Sequence, residues 1–118
     1  MSENNVSRFE RPVRWEKPRM DELEKVIRSR SKQTENVIIS DHAFDRVEER
    51  DITQQDVYNI LRTGVVLENI ENVSKQPNTW KVQVMKALNG GYRQAIAVTL
   101  VVKDDDHLFV KTVMWRDL

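Results

Sequence analysis

The sequence predicts an α+β domain: two to three helices packed on an antiparallel sheet of about four strands. Three observations carry that expectation. Apolar residues recur at helical spacing over the first half of the chain, between residues suited to cap helices. After Gly64 the period changes from helical to alternating. Asn89-Gly90-Gly91, set between two β-rich runs, is a strong hairpin signal.

The chain has 118 residues, which suits one folding unit. Residues 1 to 19 are polar, with arginines among Phe9, Pro12, Trp15 and Pro18, and predict an N-terminal arm. Residues 20 to 118 then form a single α+β domain. The first helix is expected from Met20 to Lys32, with Met20, Leu23 and Ile27 inward. Asp21 and Glu24 have the spacing of a capping box, and Arg28, Arg30 and Lys32 suit the negative end of the helix dipole. Val37 to Ile39 is a brief strand or an extended lead-in.

Ser40 or Asp41 caps a second helix that runs to Arg50. Thr53, with Asp56 three residues on, starts a third; Val57, Ile60 and Leu61 face inward and Gly64 is its stop. Val65 to Val73 is β-rich but interrupted by polar residues, as in an edge strand. Trp80 to Leu88 alternates, Tyr92 to Lys103 is the most apolar strand and the expected centre of the sheet, and Leu108 to Trp115 closes it. The helices would cover one face of the sheet and leave the other open.

The composition excludes several function classes. With 19 basic and 19 acidic side chains the net charge is zero, so bulk charge does not drive binding to nucleic acid. Residues 36 to 75 are acidic and both flanks mildly basic, which leaves room for local cationic patches. There is no cysteine, hence no thiolate zinc site and no cysteine nucleophile. No run reaches the ~18 apolar residues of a membrane span, and the N-terminal residues lack the apolar core of a signal peptide, so a cytoplasmic location is expected. The Asp104-Asp105-Asp106-His107 turn lacks further ligands for a metal. Neither metal nor cofactor is expected.

The chemistry concentrates in His42-Ala43-Phe44-Asp45-Arg46-Val47-Glu48-Glu49-Arg50. On a helix, His42, Arg46 and Arg50 line one face at four-residue intervals. A histidine can move a proton near neutral pH, and arginines hold a phosphate. The competing reading is a capping histidine beside arginines paired to Asp45 or Glu49. The sheet offers Lys81, Arg93 and Lys111; small Ala95 and Ala97 between Arg93 and Thr99 would form a trough into which these cations project. Metal-free RNA cleavage needs such a set: a group to activate the 2′-hydroxyl, cations for the charge on phosphorus oxygens, and an acid for the leaving oxygen. Trp80, Tyr92 and Trp115 could stack bases or fill the core.

The segment HAFDRVEERDITQQDVYNILRTG, followed by the closing strand FVKTVMW, resembles a widespread family of small proteins marked by a His-Ala-x-x-Arg-x-x-x-Arg helix. That family looks like a branch of the RelE-like toxin superfamily, which includes MqsR and BrnT. The resemblance covers the chain from about Ser40 to its end. It implies a RelE-like fold, a gene beside an antitoxin or on a mobile element, and metal-independent endoribonuclease activity, in some relatives on the ribosome. His42, Arg46 and Arg50 match the motif, and Arg93 stands where a basic residue is common on the middle strand. The expected roles are His42 and Arg46 in catalysis with Lys81 and Lys111, the two lysines read from strand faces and not from the motif, Arg50 and Arg93 on RNA phosphates, and, from the N-terminal arm, Phe9 and Trp15 on a partner such as a cognate antitoxin. The alternative is a non-enzymatic protein-binding module, phage or plasmid-borne, that uses its arm and sheet.

Overall fold

A computed structural model describes residues 13–73, 76, 78–91 and 93–116. Three helices, α1 (Met20–Arg30), α2 (Asp41–Glu49) and α3 (Gln54–Thr63), pack on one face of a sheet. The strands are β1 (Val37–Ile39), β2 (Val65–Val66), β3 (Glu71–Asn72), β4 (Thr79–Leu88), β5 (Arg93–Val102) and β6 (Leu108–Trp115). Their order is β1-β6-β5-β4-β2, with β3 also on β4. The α+β class and the central place of β5 agree with the sequence.

Two features of the sheet differ from the expected meander of about four strands. Val37 to Ile39 is a strand, and it runs parallel to β6, so the sheet is mixed. The stretch after Gly64 breaks into β2 and β3, each two residues long, which pair with separate parts of β4. The polar residues between them, Glu68 and Asn69, give no continuous apolar side to hold one long strand on the core.

The helix termini follow local chemistry. Ser40 caps α2 by accepting a hydrogen bond from the Ala43 N–H at 3.1 Å. Thr53 and Asp56 form a reciprocal box on α3, at 3.0 and 2.9 Å. On α1 the reach-back carboxylate is Glu22, which accepts from the Arg19 N–H at 2.7 Å. Glu24, the expected partner of Asp21, instead accepts from the Val66 N–H and caps the edge strand β2. Between α2 and α3, Asp51 takes a left-handed φ of 58°, and the Ile52 N–H returns to the Val47 carbonyl. This is a Schellman ending, and it drives Ile52 into the core.

Gly64 is needed for a different reason than the helix stop the sequence suggests. Its φ of −76° suits any residue. A Cβ there would stand 2.5 Å from the Ile60 carbonyl oxygen and 2.8 Å from that of Met85. Glycine lets the end of α3 lie directly against β4.

The alternation of β4, β5 and β6 sorts their side chains. Val82, Val84, Ala95, Ala97, Thr99, Val101, Leu108, Val110 and Val113 lie under the helices, against Leu23, Ile27, Ala43, Val47, Val57, Ile60 and Leu61. Small Ala95 and Ala97 allow the helices to approach the sheet closely. Lys81, Gln83, Met85, Ile96, Val98, Leu100, Phe109, Thr112 and Met114 point to the opposite face. No described helix covers that face.

Candidate functional site

Helix α2 lies against β6 along the part of that strand that β1 does not reach. Bare edge carbonyls there need donors. The Ser40 hydroxyl donates to the Lys111 carbonyl at 3.1 Å. The Arg50 guanidinium donates to the Val113 carbonyl at 2.6 Å. The Trp115 indole N–H in turn donates to the Arg50 carbonyl at 2.7 Å. Arg50 thus fastens the C-terminal end of α2 to the sheet through both its side chain and its backbone.

His42 and Arg46 are held differently. His42 is exposed on the first turn of α2. Arg46 lies one turn on, about 6 Å along the axis. Its Nη1 meets Glu49 Oε1 at 2.6 Å, on the helix surface. Such exposed pairs contribute only ~0–1 kcal/mol, so a phosphate can compete for the guanidinium. The face that the sequence predicts therefore exists. Its first two members are accessible and its third carries structure.

Arg93 joins this side of the molecule at the far end of α2. Its guanidinium stacks on the Trp115 ring at 4.1 Å. Ladder register adds Lys86, which sequence reasoning missed: Lys86 and Trp115 flank Ala95, on the helix-facing side of the sheet. Counting by twos from Val82 would have found it. Arg93, Lys86 and the Trp115 ring form a cationic rim just beyond the covered core.

Lys81 and Lys111 are not brought to this rim. Lys81 stands on the open face, where its Nζ pairs with Glu71 at 3.2 Å. Lys111 is the extra residue of a bulge, since Thr99 pairs with Val110 and Val98 with Thr112. It is exposed beside Thr112 on the edge of the sheet. The expected trough is also corrected. Ala95, Ala97 and Thr99 are fully buried beneath the helices. The cations sort onto two sides because Lys81 and Arg93 differ in strand parity.

Trp15 packs against this chain's own core, under the Arg30 guanidinium at 5.7 Å, and its carbonyl accepts from the Trp80 indole N–H. Phe9 and Tyr92 lie outside the described residues. In the acidic turn, Asp105 accepts from the His107 backbone N–H at 2.8 Å and contacts its Nδ1 at 2.7 Å. Those two hydrogen bonds, the backbone one first, hold the Asp105 carboxyl below the usual carboxylate range. Among the described residues no group of three or more His, Asp or Glu could hold a metal ion. None of the described helices is long and apolar enough to cross a membrane.

Residues 39–115 match a family model described as a domain of unknown function (DUF4258). The matched span runs from β1 to the end of β6 and holds all of α2, α3, Arg93 and Trp115. Neither a curated protein nor a solved structure matches the chain.

Proposed function

The chain belongs to the DUF4258 family, and from its α2 surface we propose that it is a metal-independent endoribonuclease of the toxin type. The observation that carries this reading is the pairing of an accessible His42 with Arg46 one turn later, on a helix that Ser40 and Arg50 clamp to the sheet. A clamped helix can hold a proton-transfer group and a phosphate ligand in fixed relation.

In this reading the RNA backbone lies along α2. Arg46 leaves Glu49 and holds the scissile phosphate. His42 takes the proton of the 2′-hydroxyl, whose oxygen attacks phosphorus. The bond from phosphorus to the 5′-oxygen breaks, and that oxygen takes a proton from the imidazolium. The products are a 2′,3′-cyclic phosphate and a 5′-hydroxyl. Arg93, held flat by Trp115, and Lys86 receive a neighbouring phosphate. Arg50 orients the helix. Lys81 and Lys111, across and at the edge of the sheet, are released from the catalytic set. A cytoplasmic protein encoded with an antitoxin fits this chemistry and the resemblance to RelE-like toxins.

The test is cleavage of end-labelled RNA in the presence of a chelator. His42→Ala should lower the rate by about 100-fold or more. Arg46→Ala should weaken it by roughly 10- to 100-fold, and a deoxynucleotide at the cleaved position should abolish it. Undiminished cleavage by His42→Ala would sink the proposal. One observation favours a second reading, a protein-binding module: the open sheet face is apolar across several strands.

A further inference from the structure

The open face is more apolar than a solvated sheet face requires. Three rows cross it. Met85, Ile96 and Met114 form one, extended by the exposed Val65 on β2. Gln83, Val98 and Thr112 form the middle one. Lys81, Leu100 and Phe109 form the third, extended by the exposed Ile38 on β1. Ile96 and Val98 retain only 7% exposure each, yet they lie outside the helix-side core. Met85, Leu100, Phe109 and Met114 around them are half-buried. Strand and residue spacings give five strands by three rows a flat footprint of roughly 500 Å². Without Lys81, Gln83 and Thr112 the apolar part is at most comparable with the largest apolar patch of a typical single chain, and such patches are often functional.

We propose that this face is the self-association surface of a homodimer, in which two copies pack sheet against sheet. Charge selects a second copy as the occupant. At one end of the face Arg116 lies over Met85, with Nη1 3.2 Å from its sulfur. At the other end is the Asp104 to Asp106 turn, with the Asp105–His107 pair beside Phe109; the His107 and Phe109 rings are 6.2 Å apart. The ten residues of β5 separate these ends by about 30 Å. A two-fold axis across the strands, along the Gln83-Val98-Thr112 row, brings each Arg116 to the partner's acidic turn. The same operation lays the row of Met85, Ile96 and Met114 over the partner's row of Lys81, Leu100 and Phe109. Methionine sulfur then meets a phenyl ring. The pattern is self-complementary, as an isologous interface demands. The chain's zero net charge removes the bulk repulsion that opposes pairing of like molecules. The footprint is below the ~800 Å² per partner of a standard interface, so a weak dimer is expected.

Sedimentation equilibrium of the full chain tests this, over roughly 1–300 μM to span the affinity of a small interface. A concentration-dependent dimer is expected. Leu100→Glu should raise the dissociation constant by at least about tenfold, with unchanged circular dichroism. Because a buried-face variant can also loosen the fold, the exposed Arg116→Glu is the second variant. It should weaken the dimer several-fold, and adding Asp104→Lys and Asp106→Lys should restore it. A monomer at every concentration would overturn the proposal, as would a dimer indifferent to both Leu100→Glu and Arg116→Glu. RNA cleavage does not enter these readouts, so the two proposals fail separately.

Discussion

The two faces of the sheet are built from the same strands and are both apolar, yet they differ in what they hold together. On the helix side Val82, Val84, Ala97, Val110 and Val113 are closed in by α1, α2 and α3. On the other side no described helix covers Ile96, Val98 and Leu100. The covered face sets stability, because burial there is complete and any void is felt. No described helix seals the open face, and the proposed self-association would account for its apolar character. The cations divide in the same way. Those on the helix side, Arg46, Lys86 and Arg93, accompany His42, whereas Lys81 stands apart with Glu71.

Truncation on adjacent rungs would sharpen this contrast most. Leu108 is fully buried under the helices, and Leu108→Ala should cost about 2–5 kcal/mol in urea unfolding of dilute protein. Leu100, one rung away on the open face, is only half-buried, and Leu100→Ala should cost about 1 kcal/mol or less. Equal losses would break the distinction between the faces. The α2 arginines give the next largest effect. Arg50→Ala leaves the Val113 carbonyl without its donor and should cost about 1–3 kcal/mol. Arg46→Ala, which removes only an exposed ion pair, should cost under about 1 kcal/mol while impairing RNA cleavage. If Arg46→Ala proved the more destabilising, the division between a structural and a functional arginine would be lost.

The smallest effect is expected at the acidic end of the open face. The Asp105 carboxyl is held below its ordinary range by the His107 N–H and ring. A depressed carboxyl pKa in the folded state stabilises above the unfolded value and loses that contribution as pH falls through the folded one. Asp105→Ala should therefore lower the melting temperature slightly at neutral pH. The difference from wild type should shrink as the pH falls below about 4, the unfolded carboxyl value. A difference that persists at lower pH would mean that the carboxylate charge is not what holds the turn.

The helix boundaries and caps of α2 and α3 were legible because each depends on residues three or four apart. Ser40, Thr53 and Asp56 carry their information locally. The hairpin at Asn89 to Gly91 was legible for the same reason, since Gly90 and Gly91 take positive φ. The face bearing His42, Arg46 and Arg50 followed from helical periodicity alone. What Arg50 binds did not, because the Val113 carbonyl lies on a strand 63 residues away. The trough was misjudged through burial: small residues on a strand can floor a groove or admit a helix, and Ala95 and Ala97 do the second.

By itself, then, the sequence determined the α+β class, the order of the helices and main strands, the caps of α2 and α3, and a helix that carries a histidine and two arginines along one side. These are consequences of short-range sterics, hydrogen bonding and periodicity. Only the tertiary structure decided that β1 runs parallel to β6, which face of the sheet the helices cover, and on which side each cation stands. Those outcomes depend on register between distant strands and on the bulge at Lys111. In a β-sheet a one-residue shift exchanges the two faces, so such outcomes are settled only when the strands pair.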